Sequence, residues 1–160
     1  MRFTPALKGL ITAILMIITA VVIDQQRNHT DPRIQYVIFF IYAAGIIWSV
    51  LAFAQSGKGT GKFAQLFGQG FRCFIIVTIC MVIFTFIFIK MHPEFAVLEA
   101  QHQREELVKL KDKTPLEIED MVSTVKKQYT LRYLSASIFG YLIIGAGISA
   151  AISALLTRRK

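Results

Sequence analysis

The sequence predicts an all-α fold: an integral membrane four-helix bundle with a long helical extracytoplasmic loop between the third and fourth spans, forming a single membrane domain over residues 1–160. Three observations predict it. The chain is 54% apolar with a mean hydropathy of +0.54, too apolar for an ordinary soluble domain. It holds four apolar segments, each near the ~20 residues an α-helix needs to cross a bilayer. Its charges stand between those segments and are nearly excluded from them.

The first span, residues 6–23, reads ALKGLITAILMIITAVVI, with Lys8 close enough to its end for the ammonium to snorkel to the headgroups. A secretory signal also has a basic start and an apolar run, but the residues that follow, VVIDQQR, lack a small-x-small cleavage pattern. A retained helix is expected. The second span, residues 34–54, contains no charge. The third, residues 71–89, holds the stretch CFIIVTICMVIFTFIFI, Cys73 to Ile89, bracketed by Arg72 and Lys90. The fourth, residues 133–156, is rich in small residues.

Between the second and third spans lies QSGKGTGK, Gln55 to Lys62. A phosphate-binding P-loop needs G-x-x-x-x-G-K-[ST] between a strand and a helix, so that backbone N–H groups surround the phosphates. Aligned on Gly61 and Lys62, the first glycine position holds Ser56 and the hydroxyl position holds Phe63, and the preceding element is a membrane span. Nucleotide binding is excluded on these grounds. Phe63, Leu66, Phe67 and Phe71 instead recur at helical spacing, which predicts an interfacial half-helix leading into the third span.

Charge placement sets the orientation. With the N-terminus in the cytoplasm, the cytoplasmic pieces carry Arg2, Lys8, Lys58, Lys62, Arg72, Arg158, Arg159 and Lys160 and no acidic residue. The loops on the other side balance basic against acidic residues, so the whole net charge of +8 falls on one side. The positive-inside rule counts Lys and Arg near the span ends and discounts the centres of long loops. N- and C-termini inside is the expected topology, with Lys58, Lys62, Arg72, Arg158, Arg159 and Lys160 facing anionic headgroups. The same distribution argues against nucleic-acid binding, because the basic residues punctuate apolar segments and do not cluster on a soluble fold.

Residues 91–132 form the one sizeable soluble part. Thr114-Pro115-Leu116-Glu117 matches a helix start, with a Thr cap, Pro at the first helical position and Glu three residues after the cap. Ile118, Met121, Val122, Val125 and Tyr129 then give one apolar face. An earlier helix is expected from about Pro93 to Lys111, with Phe95, Leu98, Leu107 and Leu110 apolar. Helices this short are marginal alone in water, so they should pack on each other or on the membrane surface. The loop is either a hairpin that caps the bundle or a docking surface for an extracytoplasmic partner. His92 and His102 lie in it, but with no i, i+4 pair or H-E-x-x-H spacing to hold zinc.

Within the spans, catalytic chemistry has little to use. Asp24, Arg72 and Lys90 are expected at helix ends, and the polar residues left are Gln35 and hydroxyls such as Thr12, Thr19, Thr78 and Thr85, which can bond the carbonyl one turn back. No nucleophile and base, carboxylate pair or metal set is apparent, so neither an enzyme nor a cofactor is expected. Cys73 and Cys80 are seven residues apart in one apolar run, about 10 Å along a helix, too far to pair. The strongest packing signal is in the fourth span. Gly145, Ser149 and Ser153 are spaced by four, and Ala146, Ala150 and Ala154 repeat that spacing on the neighbouring stripe. Small residues at this period let helix backbones approach closely, within the chain or across a homodimer.

The Gly/Lys-rich second loop running into FAQLFGQGFRCFIIV, the third span ending in FIFIKMHPEF, and TPLEIEDMV ahead of a small-residue last span together resemble domain-of-unknown-function family 4199, small four-span bacterial membrane proteins. The resemblance implies a bacterial inner-membrane protein with four helices. The family has no assigned activity, so it supplies no functional residues. The function expected is that of a non-enzymatic accessory or scaffold component of an envelope assembly, the alternative being a small oligomeric channel or transporter.

Overall fold

The computed structural model describes residues 4–25, 32–56, 61–110 and 114–158, and these are helical apart from short turns and caps. The helices are α1 (Pro5–Gln25), α2 (Pro32–Gln55), α3 (Phe63–Met91), α4 (Glu94–Leu110) and α5 (Pro115–Arg158). All four prolines of the chain mark helix starts. Pro5, Pro32 and Pro115 occupy the first helical position, where the missing N–H costs nothing. Pro93 follows the end of α3 and forces the chain to turn before α4. The caps agree with the chemistry: Leu7 N donates to Thr4 Oγ1 at 3.3 Å, and Thr114 and Glu117 form a reciprocal capping box, with Thr114 N donating to Glu117 Oε2 at 2.8 Å and Glu117 N to Thr114 Oγ1 at 3.4 Å.

Helices α1, α2, α3 and α5 are long and apolar enough to cross a membrane. Only 17% to 33% of the most apolar stretch of each is buried. In water so much exposed apolar surface would drive aggregation; in lipid it costs nothing. The sequence pattern separates the second loop helix from the fourth span, but the structure joins them in α5, 44 residues without a break. At ~1.5 Å per residue this is about 66 Å, twice the hydrocarbon thickness. The physical reason is that the change from charged to apolar residues near Tyr133 alters the preferred solvent but leaves the backbone hydrogen-bond ladder intact, and no Gly or Pro lies between Leu116 and Phe139 to interrupt it.

The chain forms two compact units, Met1–Val82 with Ile138–Lys160, and Ile83–Ser137. In the first, Ala13, Met16, Tyr42, Ile46, Val50, Cys73, Phe74 and Val77 make a fully buried core. Gly9 lies against the Cys73 carbonyl, Gly45 against Thr12, Gly70 against Ser149, and Gly145 against Tyr42 and Phe74. These contacts run the four helices alternately up and down, so Pro5, Gln55, Phe63 and Arg158 lie toward one end of this unit. In the second unit, α4 folds back along the first half of α5. Ala100 and Leu107 of α4 and Ile118 and Val125 of α5 are buried, each pair two helical turns apart as in a coiled-coil seam, and Arg104 and Glu119 form an ion pair across it.

Candidate functional site

The interior of the first unit gathers polar groups from four helices. On α1, Lys8 is 7% exposed, with its ammonium 5.4 Å from the centre of the Trp48 ring on α2. This corrects the expectation that Lys8 snorkels outward to headgroups. Its stem leaves α1 on the face that carries Thr12 and Met16, which is covered by protein, and the indole face supplies the cation's contact. Beside it, the Cys73 thiol makes a long S–H···O contact of 3.8 Å to the Gly45 carbonyl. Thr12 and Thr78 bond the carbonyls one turn back, Lys8 O and Phe74 O, each at 2.8 Å, as their type permits. The buried hydroxyls of Ser49, Ser149 and Ser153 have no hydrogen-bond partner among the described residues.

The small-residue stripes part company. Gly145, Ser149 and Ser153 face inward and are buried, with Gly145 and Ser149 against α2 and α3 of the same chain. Ala146 and Ala150 are half-buried, and Ala154 is exposed. Among the residues assigned to headgroup contact, Lys62, Arg72 and Arg158 are exposed, whereas Lys58, Arg159 and Lys160 lie outside the described residues. Arg72 is not at a helix end: α3 starts at Phe63, because the interfacial half-helix and the third span are continuous. Gly61, just before it, has a positive φ of 68°, a turn conformation that side chains resist.

The second unit carries most of the charge. At the α3–α4 turn, His92 Nδ1 and Glu94 Oε1 are 2.7 Å apart, and the His92 ring packs on Phe88 and Phe95 at 4.6 and 5.6 Å between centroids. The Glu94 carboxyl is held below the usual carboxylate range by a hydrogen bond from its own backbone N–H and by His92. His102 is exposed on α4. Of the apolar positions on α4, Leu107 is buried and Phe95 half-buried, but Leu98 and Leu110 are turned outward, their places in the seam being taken by Ala100 and Gln103. Farther along, Glu99 of α4 and Val125, Tyr129, Arg132, Tyr133 and Ala136 of α5 line a cavity of about 310 Å³.

The family model described as "Protein of unknown function (DUF4199)" matches residues 7–159. The chain belongs to this family. No curated protein and no solved structure matches it. As a DUF4199 member it therefore inherits no residue roles, and its chemistry must be read from the geometry. Among the described residues no three His, Cys, Asp or Glu side chains converge on a point where a metal ion would sit. Cys73 and Cys80 are both free thiols, Cys73 buried. Neither the interior position of Lys8 nor the grouping of Glu99, Tyr129 and Arg132 is legible in the sequence. The first needed the rotation of α1 about its axis, and the second needed the register of α4 on α5; neither leaves a local mark in the sequence.

Proposed function

We propose that this DUF4199 chain is a non-enzymatic accessory or scaffold component of an envelope assembly in the bacterial inner membrane, with both termini cytoplasmic and the α4–α5 hairpin offered to an extracytoplasmic partner. One observation carries the reading. Leu110 and Leu116, the last residue of α4 and the second of α5, are 71% and 83% exposed at the hairpin's end. Two large apolar side chains held out among charged neighbours are costly in water, and a partner's apolar surface would recover that cost. Photo-cross-linking from position 116 in native membranes tests it. A discrete adduct with a different protein, absent from position 126 and abolished by Leu110→Glu, supports the docking role; adducts with this chain alone overturn it.

A second reading, a small oligomeric channel or transporter, is favoured by the buried Lys8 ammonium and the unpartnered Ser49, Ser149 and Ser153 hydroxyls. These would be the start of a polar path. Ion flux in vesicles that disappears with Ser149→Ala would support this reading against the first.

A further inference from the structure

The cavity between α4 and α5 has walls of two opposite charges. Glu99 contributes a carboxylate, Arg132 a guanidinium, and the rings of Tyr129 and Tyr133, tilted to each other with 5.8 Å between centroids, form an aromatic side. Val125, buried, also lines it. Among the described residues neither Glu99 nor Arg132 belongs to an ion pair, although both face the same space of about 310 Å³. Elsewhere in this unit opposite charges within reach have closed on each other, as Arg104 and Glu119 have. The cavity therefore keeps an anion-binding and a cation-binding group apart, in a volume suited to a small ligand.

Its position along α5 narrows the ligand further. Tyr133 opens the apolar run that continues to Leu156, and Ala136 lies one turn inside it. The charged side of the cavity thus belongs to the soluble half of the helix and the Ala136 side to its membrane half. On the membrane placement proposed above, this is the depth at which aromatic residues and headgroups meet. A ligand that answers all the walls has a phosphate for the planar fork of Arg132. It has an ammonium for Glu99 and the tyrosine faces, and an apolar remainder that can leave past Ala136.

We infer that this cavity binds a phosphoethanolamine group, with Arg132 on the phosphate, Glu99 and the Tyr129–Tyr133 faces on the primary ammonium, and Ala136 at the exit toward the acyl chains of a phospholipid. A choline headgroup keeps the ring contact but has no N–H to donate to Glu99. A glycerol headgroup leaves the Glu99 carboxylate without a cation. The site thus selects ethanolamine over both, and it needs no protein partner.

Native mass spectrometry of the full chain released from detergent with equal parts phosphatidylethanolamine, phosphatidylcholine and phosphatidylglycerol tests this. Preferential retention of phosphatidylethanolamine is expected. Loss of one charge-assisted hydrogen bond corresponds to about tenfold in affinity, so Glu99→Gln should remove the preference over phosphatidylcholine. Arg132→Gln should weaken all three lipids at this site, and Lys126→Gln, outside the cavity, should change nothing. Free O-phosphoethanolamine forms a second arm: binding there with no lipid preference keeps the phosphoethanolamine assignment and names a soluble source. Equal retention of the three lipids with no binding of the free headgroup overturns the inference, as does a preference that survives both substitutions. Far-UV circular dichroism separates loss of binding from loss of helix.

Discussion

The hydroxyl of Tyr42 on α2 donates a 2.9 Å hydrogen bond to the carbonyl of Tyr141 on α5. That carbonyl lies within a helix, where the side chain one turn later normally shields it. Here that residue is Gly145, and a Cβ built on it would stand 2.7 Å from Phe74 Cγ and closer still to the Tyr42 hydroxyl. The glycine lets α2 and α3 approach and exposes the carbonyl for the bond.

Two substitutions at this contact should differ in size. Tyr42→Phe removes one hydrogen bond, about 0.5–1.5 kcal/mol, whereas Gly145→Ala overpacks against two aromatic rings, about 1–3 kcal/mol. Thermal unfolding in detergent should rank Gly145→Ala as the more damaging. The double variant should lose less than the sum, because the alanine already displaces the tyrosine. An unchanged midpoint in Gly145→Ala would refute the close approach.

The capping box at Thr114 and Glu117 starts the longest helix of the chain on its charged side. Thr114→Ala should cost about 0.5–2 kcal/mol, confined to the first turns of α5. Hydrogen exchange should quicken at residues 117–121 and stay unchanged at residues 141–149. Uniform acceleration along α5 would mean that the cap acts on the whole helix.

The depressed Glu94 carboxyl makes the α3–α4 turn sensitive to acid. Its folded value lies below its unfolded one, so its contribution is present above the ordinary carboxylate range, near 4.5, and is lost as pH falls through the lower, folded value. Exchange protection of Phe95 to Leu98 should fall across that window in the native chain. In Glu94→Gln the same amides should show no such step.

Topology can be read by labelling single cysteines in a background lacking Cys73 and Cys80. Ser56→Cys and Arg158→Cys belong to the same end of the first unit and should react with an impermeant maleimide only after the cytoplasmic face is opened. Glu105→Cys on α4 should react from outside the membrane. Labelling of Ser56 and Arg158 from opposite sides would contradict the up-and-down order of the four helices; labelling of both from outside would reverse the proposed orientation.

The parts of this protein legible in its sequence are local or periodic. Thr114 and Glu117 announce a helix start because a cap needs only four consecutive residues. The four spans are legible because transfer to lipid depends on summed hydropathy, not on neighbours. Leu107 and Val125 were legible as core positions from their spacing, but Leu98 and Leu110 share the apolar character and face out, since spacing names a stripe and not its partner.

Taken by itself, the sequence determined the all-helical class, the cap at Thr114 and Glu117, the four apolar stretches and the family. Only the tertiary structure decided that Lys8 sits inside against Trp48, that the Gly145, Ser149 and Ser153 stripe faces inward while Ala154 does not, that α5 runs unbroken through two compositions, and that Glu99 and Arg132 share a cavity. The continuity of α5 follows from a backbone ladder that neither Gly nor Pro interrupts between Leu116 and Phe139; the other three share one physical reason. In a bilayer, lipid-facing and core-facing side chains are equally apolar, so hydropathy carries no signal for rotation about the helix axis; that rotation, like the register of α4 on α5, is set by close contacts between residues far apart in the chain.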